Sequence, residues 1–499
     1  STIKELVKNK KGDILTLTDN LKIKKVEIDK FINNGKKTVL AVKTALGKEI
    51  KATITHPFLT INGWRPLAEL KAGDRIATPR KIPVFGKTNP PAYQVKSLAY
   101  FIAEGGLTGG NPRFTNSNKT IVNDFIQSVL KFPNVKLNKE EYHDKKAFTY
   151  CVSGVRKDRA KEVKKLSEKI KELAAGSRNT QLEIAKNAGL CLATVSAFLN
   201  GHYLPSEENF LKILSALRLK QKMASELTIK YRDIARINSV TEWLESLELM
   251  GKLTKDKFLP ETVFMFNKKT LSLFFNRLFA CDGSFWQDKA KNYHISYSSS
   301  SKTLIKQIQH LLLRFGIVSK TREKKIKYKG GFKIAYELEI HNAGNLLIFI
   351  REIGIYGKEK KLKQAKKKLS KVGVGWSQDT LPIEVWEIVM AAKGKESWRS
   401  LYPRLGLSKE HNIHAFRRQP RRETIAKLAK LFNSTGLKNL AQSDIYWDRI
   451  VSIEHKGKEQ VYDLNIPETH NFISNDFIVH NSSMALDIAR HVAVHEKAP

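Results

Sequence analysis

The chain has 499 residues, too many for one ordinary domain, and 41% of them are apolar, enough for several packed cores. Lysine and arginine number 88 against 49 acids, a formal net charge of +39; such an excess repels itself unless a polyanion neutralises it, which points to nucleic acid as a partner. Three well-separated cysteines, Cys151, Cys191 and Cys281, lack zinc-ligand spacing and argue against a disulfide scaffold, and no apolar run is long enough for a membrane span; with no secretory leader at its start, the chain is expected in a reducing cytoplasm.

Residues 1–80 read as short β-branched strands, among them Asp13-Ile-Leu-Thr-Leu17, Lys37-Thr-Val-Leu-Ala-Val42 and Lys51-Ala-Thr-Ile-Thr55, with turns at Asn34-Gly35 and Asn62-Gly63. Pro83, Pro90 and Pro91 mark a linker. Residues 93–150 mix helix and strand, 156–235 are helical and lysine-rich, and 240–370 return to mixed α and β. Residues 380–436 are helical, and 445–481 are strands again, including Arg449-Ile-Val-Ser-Ile453 and Gln460-Val-Tyr-Asp-Leu464. β character at both ends of a mixed middle fits one all-β domain interrupted by an insertion; two unrelated β domains would give the same pattern.

The last segment ends Phe477-Ile-Val-His-Asn481, with Ser482 next. An asparagine side-chain amide can attack its own backbone carbonyl, forming a succinimide and breaking the chain after it. A neighbouring histidine can polarise that carbonyl and protonate the leaving amine. The Ser482 hydroxyl can accept an acyl group from upstream. His-Asn-Ser alone is most often an ordinary loop, but its surroundings are specific. Upstream stand Val461-Tyr-Asp-Leu-Asn-Ile-Pro-Glu-Thr-His-Asn-Phe-Ile473 and Asn475-Asp476; near the other end stand Thr53-Ile-Thr-His56, Pro57-Phe58, Gly63-Trp64 and Leu67-Ala-Glu-Leu-Lys-Ala-Gly-Asp74.

These segments resemble the motif blocks of the Hint (intein) family, which implies an all-β, self-excising splicing domain that needs no cofactor for splicing. The resemblance implies that Thr53 and His56 activate the upstream scissile peptide, that His470 and His480 assist Asn481, and that Asp463 is a polar helper. Family members open on a Cys or Ser nucleophile. Here Ser1-Thr-Ile-Lys-Glu-Leu-Val7 resembles a helix-forming stretch just downstream of that block, so Ser1 is not read as the nucleophile and the first β segment is expected upstream. On that reading the chain can cyclise Asn481 but not complete splicing. Residues 482–499 resemble the helix after the phosphate-binding loop of bacterial replicative DNA helicases. That implies helicase exteins joined to the element, with Ser482 first the splicing acceptor and later the host's magnesium-binding hydroxyl at an ATP site.

Leu98-Ala-Tyr-Phe-Ile-Ala-Glu-Gly105 and Phe275-Asn-Arg-Leu-Phe-Ala-Cys-Asp-Gly283 share one plan, an apolar helix ending in an acid and a glycine. One copy reads as a buried helix with a glycine cap; two copies suggest paired carboxylates that hold a divalent metal for phosphodiester hydrolysis. They resemble the two repeats of LAGLIDADG (dodecapeptide-type) homing endonucleases. The resemblance places Glu104 and Asp282 as Mg²⁺-binding acids acting on double-stranded DNA, the intein-free helicase gene. Leu249-Met-Gly-Lys-Leu-Thr-Lys-Asp-Lys257, Leu311-Leu-Leu-Arg-Phe-Gly-Ile317 and Ile353-Gly-Ile-Tyr-Gly-Lys358 fit the second repeat. Lys257 and Lys363 are the candidate assisting lysines; in so basic a stretch a solvated lysine is the competing reading.

Thr180 through Gly201 has helix-turn-helix spacing: Ala185 for close crossing, Gly189 for the turn, Val195 inside the second helix. It is similar to the phage-repressor type, which places Thr194, Ser196 and Asn200 on or near the recognition helix. A looser candidate runs from Trp398 through Arg417, Arg418, Arg421 and Arg422. Tyr402 stands where a small residue is usual, so a basic structural linker is an equal reading there.

The expected architecture is multidomain: an all-β Hint splicing domain interrupted by an α+β LAGLIDADG endonuclease with helical helix-turn-helix inserts. The splicing domain takes residues 1–82 and 440–481, the first repeat 93–155, and the helix-turn-helix insert 156–235. The end of that repeat and the second repeat take 236–370, the second helical segment 380–436, and the C-extein 482–499. Two other functions compete: an intein whose degenerate endonuclease only binds DNA, and a helix-turn-helix regulator, which leaves the repeated acids and His480-Asn481 unexplained.

Overall fold

The computed structural model describes residues 2–140, 147–155, 159–176, 179–235, 238–328, 331–371, 379–406 and 418–481. Two compact units result, one of Ser1–Asn89 with Thr254–Pro499 and one of Pro90–Leu253.

In the first unit the two ends of the chain share a sheet. Strand Lys30–Thr44 pairs antiparallel with strand Ile445–Asn465, from Thr44 opposite Ile450 to Lys30 opposite Asn465. Closing a loop of this size is tolerable because closure entropy grows only logarithmically, about 2 kcal/mol for each tenfold in length. The offset comes from shared burial. Val42, Ile50, Phe58, Leu67 and Ile76 from one end pack in a single core with Ile450, Leu464, Phe472, Phe477 and Val479 from the other. Each such side chain contributes about 1.5–3 kcal/mol on leaving water. The opening helix Ile3–Asn9 is fixed by a capping box between Thr2 and Glu5.

Three local expectations change. Arg449–Ile453 and Gln460–Leu464 are not separate strands but parts of one strand with three register shifts. Asn34-Gly35 is not a turn: Gly35, at φ +70°, lies inside Lys30–Thr44 opposite the shift between Gln460 and Tyr462, where a bulge absorbs the extra residue. The strand expected over Lys51–Thr55 stops at Ala52, and Thr53–His56 turns, closed by His56 N–H donating to the Thr53 carbonyl at 3.1 Å. Asn62-Gly63 does close a tight hairpin, with Thr60 opposite Gly63.

Further along this unit, helix Lys268–Asp282 leads into strands Gly283–Gln287 and Tyr293–Ser299, helix Lys302–Leu312, and strands Lys320–Tyr328 and Gly331–Ile340. The four strands, counted along the chain, lie in the order first, second, fourth, third. Helices Val385–Lys393, Trp398–Arg404, Arg422–Leu431 and Thr435–Gln442 then supply Val389, Leu401, Ile425 and Leu440 to a core that also holds Leu17, Ala77, Leu381, Ile445, Trp447 and Ile478. The buried Arg422 donates to Asp379 at 2.7 Å and to the carbonyls of Leu440 and Ile445.

In the second unit, helix Ala92–Glu104 is followed by strands Gly105–Gly106 and Arg113–Asn116, helix Lys119–Val129, and strands Val135–Glu140 and Phe148–Gly154. Their order is again first, second, fourth, third. A separate core, with Leu166, Ile170, Ile184, Val195, Phe198, Phe210, Ile213 and Tyr231, joins the helices between Arg159 and Ala235. Among the described residues, no helix is long and apolar enough to cross a membrane.

Candidate functional site

The hairpin Asn471–Ser474 and Phe477–His480 carries the end of the β segment. Its turn residues, Asn475 at φ 49° and Asp476 at φ 62°, are both left-handed, as a two-residue hairpin loop of the I′ type demands. Asn471 pins the hairpin to strand Asp13–Leu17: its side chain accepts from Leu17 N–H and donates to the Leu17 carbonyl, each at 2.8 Å. Val479 pairs with Phe58 on the strand that leaves the Thr53–His56 turn. That pairing draws the two histidine-bearing segments together.

His480 and Asn481 are both buried. His480 Nδ1–H donates to the Asn481 carbonyl oxygen at 2.7 Å; the tautomer follows from the acceptor. Trp64 meets the His480 ring edge-on at 4.8 Å, and the His470 ring stacks over it at 6.3 Å. His470 itself is left-handed, at φ 53°, and its carbonyl accepts the Asn481 N–H at 2.9 Å. The Asn481 amide nitrogen donates to Asn465 Oδ1 at 3.0 Å and to the Ile466 carbonyl at 3.3 Å. So the asparagine is held at its backbone nitrogen, its side-chain nitrogen and its carbonyl oxygen.

Thr53, His56, Asp463 and Asn481 line one cavity of about 1110 Å³. Burial, and the positive charge His480 would carry, push the His56 imidazole down to about 4. Burial also holds His480 below its ordinary value; its bond to the Asn481 carbonyl pulls it back up and His470 pushes it down. Both rings are therefore neutral near pH 7, fit to donate or accept single hydrogen bonds. Asp463 is buried, with one carboxylate oxygen on the Leu464 N–H at 2.8 Å. Asn465 and Trp64 belong to this site and were not singled out by sequence, although both lie inside the motif segments. Ser482 lies outside the described residues.

Each helix-end acid is held by its own sheet. Asn116 Nδ2 donates to Glu104 Oε2 at 2.5 Å, and Tyr297 Oη donates to Asp282 Oδ2 at 3.3 Å. A Cβ on Gly105 would sit 2.4 Å from the Phe101 carbonyl oxygen, and one on Gly283 2.3 Å from that of Phe279. Only glycine lets the chain leave each helix so abruptly. Burial raises the Asp282 carboxyl above its ordinary value, while the Lys257 ammonium and the Tyr297 hydroxyl pull it back. Lys257 is buried and its charge acts on that acid, whereas Lys363 is exposed. Sequence spacing missed Lys358, whose Nζ donates to the Gly283 carbonyl at 2.7 Å; burial, then repulsion from Lys361, lowers its pKa. Among the described residues no group of three or more acids, histidines or cysteines is placed to hold a metal.

The helices Gln181–Ala188 and Leu192–Leu199 are joined at Gly189, φ +63°, and the first carries a capping box from Thr180 to Glu183. Ala185 and Val195 are buried between them. Thr194 and Ser196 are half-buried and Asn200 is exposed. Asn200 donates to Ser196 Oγ at 3.3 Å and accepts from Lys171 at 3.4 Å. The more open edge of the second helix is Cys191, Leu192 and Ala193. Arg418 is exposed, its carbonyl accepting from Trp386 Nε1 at 2.9 Å, and Arg417 lies outside the described residues.

A family model described as Intein splicing domain matches residues 1–481. The replicative DNA helicase DnaB of Synechocystis sp. is 28% identical over 496 residues, covering 96% of this chain and 47% of that protein. The DnaB helicase of Nostoc sp. is 29% identical over 488 residues, again covering 96% and 47%. The chain spans about half the length of these curated relatives. Among solved structures, a DnaB intein from Synechocystis sp. is 40% identical over 16% of this chain and 57% of that one, with a TM-score of 0.16. A mutant of an Ssp DnaB mini-intein variant is 38% identical over 17% and 54%, also with a TM-score of 0.16.

Proposed function

Because this chain belongs to the intein splicing domain family, we propose that Asn481 breaks the peptide bond after it in an autocatalytic excision from a replicative helicase precursor. The observation that carries this is the His480 Nδ1–H on the Asn481 carbonyl at 2.7 Å, with the attacking amide held by Asn465 and Ile466. Attack of Nδ2 on the Asn481 carbonyl carbon closes the succinimide ring and breaks the bond to the nitrogen of residue 482. His480, on the Asn481 carbonyl, would stabilise the developing oxyanion and then give its proton to the leaving amine. Ser482 would present its hydroxyl to the acyl group from upstream, and Thr53, His56 and Asp463 would act on that upstream junction. Asn465→Ala should slow release of residues 482–499 by about 10-fold, because the amide is then free to rotate out of line; release followed by mass spectrometry at pH 7 reads this, and an unchanged rate removes Asn465 from the site.

His56 gives a pH prediction. Its folded value, about 4, lies below the ordinary 6.5. The unfolded chain therefore binds the proton first, and stability is present above about pH 6.5 and lost as pH falls toward 4. Wild type should lose about 2–3 kcal/mol more than His56→Asn between pH 7 and 4.5, an order-of-magnitude figure from the size of the shift. Urea midpoints of both proteins at each pH measure it; parallel curves would mean that His56 is not held neutral.

We further propose that the middle of the chain is a site-specific endonuclease. Two helix–strand–strand–helix–strand–strand repeats with the same strand order, each opening on a helix that ends in acid and glycine, support it. Glu104 and Asp282 would hold Mg²⁺, whose role is to polarise the phosphodiester and its attacking water. Lys257 would keep Asp282 ionised against burial, and Lys358 would fix the Gly283 carbonyl beside it; Lys363 is the weaker candidate. The helices at 181–199, with Thr194, Ser196 and Asn200, would add DNA contacts, and the +39 charge supplies the phosphate attraction. Arg418 and Arg417 are the weakest DNA candidates, since the helices Val385–Lys393 and Arg422–Leu431 close a core shared with the β strands and Arg417 lies outside the described residues. The test is incubation with Mg²⁺ and DNA carrying an intein-free helicase gene. A double-strand cut supports cleavage; binding without a cut on any such allele supports a DNA-binding remnant.

A further inference from the structure

Helix Lys302–Leu312, which belongs to the second acid-bearing repeat, is fastened to the splicing strands at three levels. The buried Gln309 Nε2 donates to the Leu46 carbonyl and to the Ser319 carbonyl, each at 2.9 Å. The same Leu46 carbonyl accepts the Thr321 N–H at 3.0 Å. Lys302 and Lys306 reach Glu49 at 3.8 and 3.5 Å. With the helix so fixed, its next residue, His310, places Nδ1 2.7 Å from Asp476 Oδ1.

Asp476 is one of the two left-handed residues at the tip of the hairpin that ends in His480. It is buried, and burial works against its charge; His310 by contact and Lys48 by its field keep it ionised. Lys48 is buried too, and shares its charge between Asp476 and Asp448. The same helix walls the cavity: Lys306, Gln307, Gln309 and His310 line it together with Thr53, His56 and Asn481. The splice end is therefore seated on a residue that the splicing motifs do not contain.

We propose that His310 is a positioning residue for cleavage at Asn481, acting through Asp476 to hold the hairpin that aims His480 at the Asn481 carbonyl. Without His310 the buried carboxylate loses its hydrogen-bonded partner, the hairpin tip can shift or Asp476 can take up a proton, and the strand Phe477–His480 transmits that slack to the histidine four residues on. A misplacement of about 1 Å at a reacting centre can cost as much as 100-fold in rate. Coupling also runs both ways: whatever holds helix Lys302–Leu312 on the splicing strands also holds the splice end.

The inference rests on Asn481 being the residue that cyclises, and the experiment separates the two. The full chain is incubated at pH 7 and release of residues 482–499 is followed by mass spectrometry for wild type, His310→Ala, His310→Asn and Asn481→Ala. The side-chain amide that His310→Asn introduces can put a donor where Nδ1 stood. We expect His310→Ala to slow release about 10-fold, measured at a temperature where the variant stays folded, with some loss of melting temperature, and His310→Asn to recover most of the rate. Release from His310→Ala at the wild-type rate overturns the proposal. So does an equal loss in both variants that tracks a drop in melting temperature, because His310 would then be only part of the packing. No release from wild type, or equal release from Asn481→Ala, overturns the reading of Asn481 instead.

Discussion

Replacing Asn481 with alanine is expected to cut release of residues 482–499 by at least about 1000-fold, because the attacking nitrogen is removed. The geometry explains why the loss should be so complete. The Asn481 carbonyl is engaged by His480, and its backbone N–H by the His470 carbonyl. Water has no comparable access to a carbonyl in a residue that is 1% exposed. His480→Ala should slow release less, by about 100-fold, since the amide remains aligned by Asn465 and Ile466 while the oxyanion loses its donor. The order of the two effects is itself informative: if His480→Ala were the more damaging, the histidine rather than the asparagine would be carrying the bond-breaking step.

The second large effect is expected at Asp282. Asp282→Asn should abolish Mg²⁺-dependent cutting of intein-free helicase DNA, by about 1000-fold or more, and leave binding within a few-fold of wild type. On this proposal the carboxylate would be needed for the metal, while affinity for DNA would come from the basic surface. Lys257→Met should lower cutting by a smaller factor, and should also shift its pH dependence to higher pH, because Asp282 then meets burial without its balancing charge. A gel-shift assay and a cleavage assay on the same DNA separate the two properties. Loss of binding together with cutting in Asp282→Asn would assign the acid to the fold rather than to the chemistry.

How much of this was readable in the sequence depended on how local the cause was. His480-Asn481, the helix-end acids and Gly189 announce themselves because chemistry or backbone geometry demands those residue types within a few positions. Asn62-Gly63 and Asn34-Gly35 look alike in sequence, yet one is a hairpin turn and the other a bulge. What decides is the partner strand roughly 400 residues away, which no local pattern records. The Thr53–His56 turn was hidden for a similar reason: β-branched residues favour a strand, but the backbone bonds of Ile54 and His56 to Ala68 and Leu67 hold it as a turn. Asn465 and Trp64 could be found only once the sheet had been assembled around Asn481.

The lysines show the same boundary. Spacing alone put Lys363 opposite Lys257, but the helix Glu359–Lys371 turns Lys363 to solvent and leaves Lys358 against the Gly283 carbonyl. In a chain with 88 basic residues, position in the fold rather than residue type distinguishes a working lysine from a solvated one. Arg422 is the converse case. It reads as part of a basic, DNA-facing run, yet it is buried on Asp379 and on backbone carbonyls.

The most direct test is the mass of the fragment that ends at Asn481 after the wild-type chain is incubated at neutral pH. Cyclisation predicts a fragment one water lighter than the hydrolysis product, a succinimide that opens slowly on standing, and its absence in Asn481→Ala. A fragment that carries a free asparagine carboxylate from its first appearance, or one released equally from Asn481→Ala, would contradict the account.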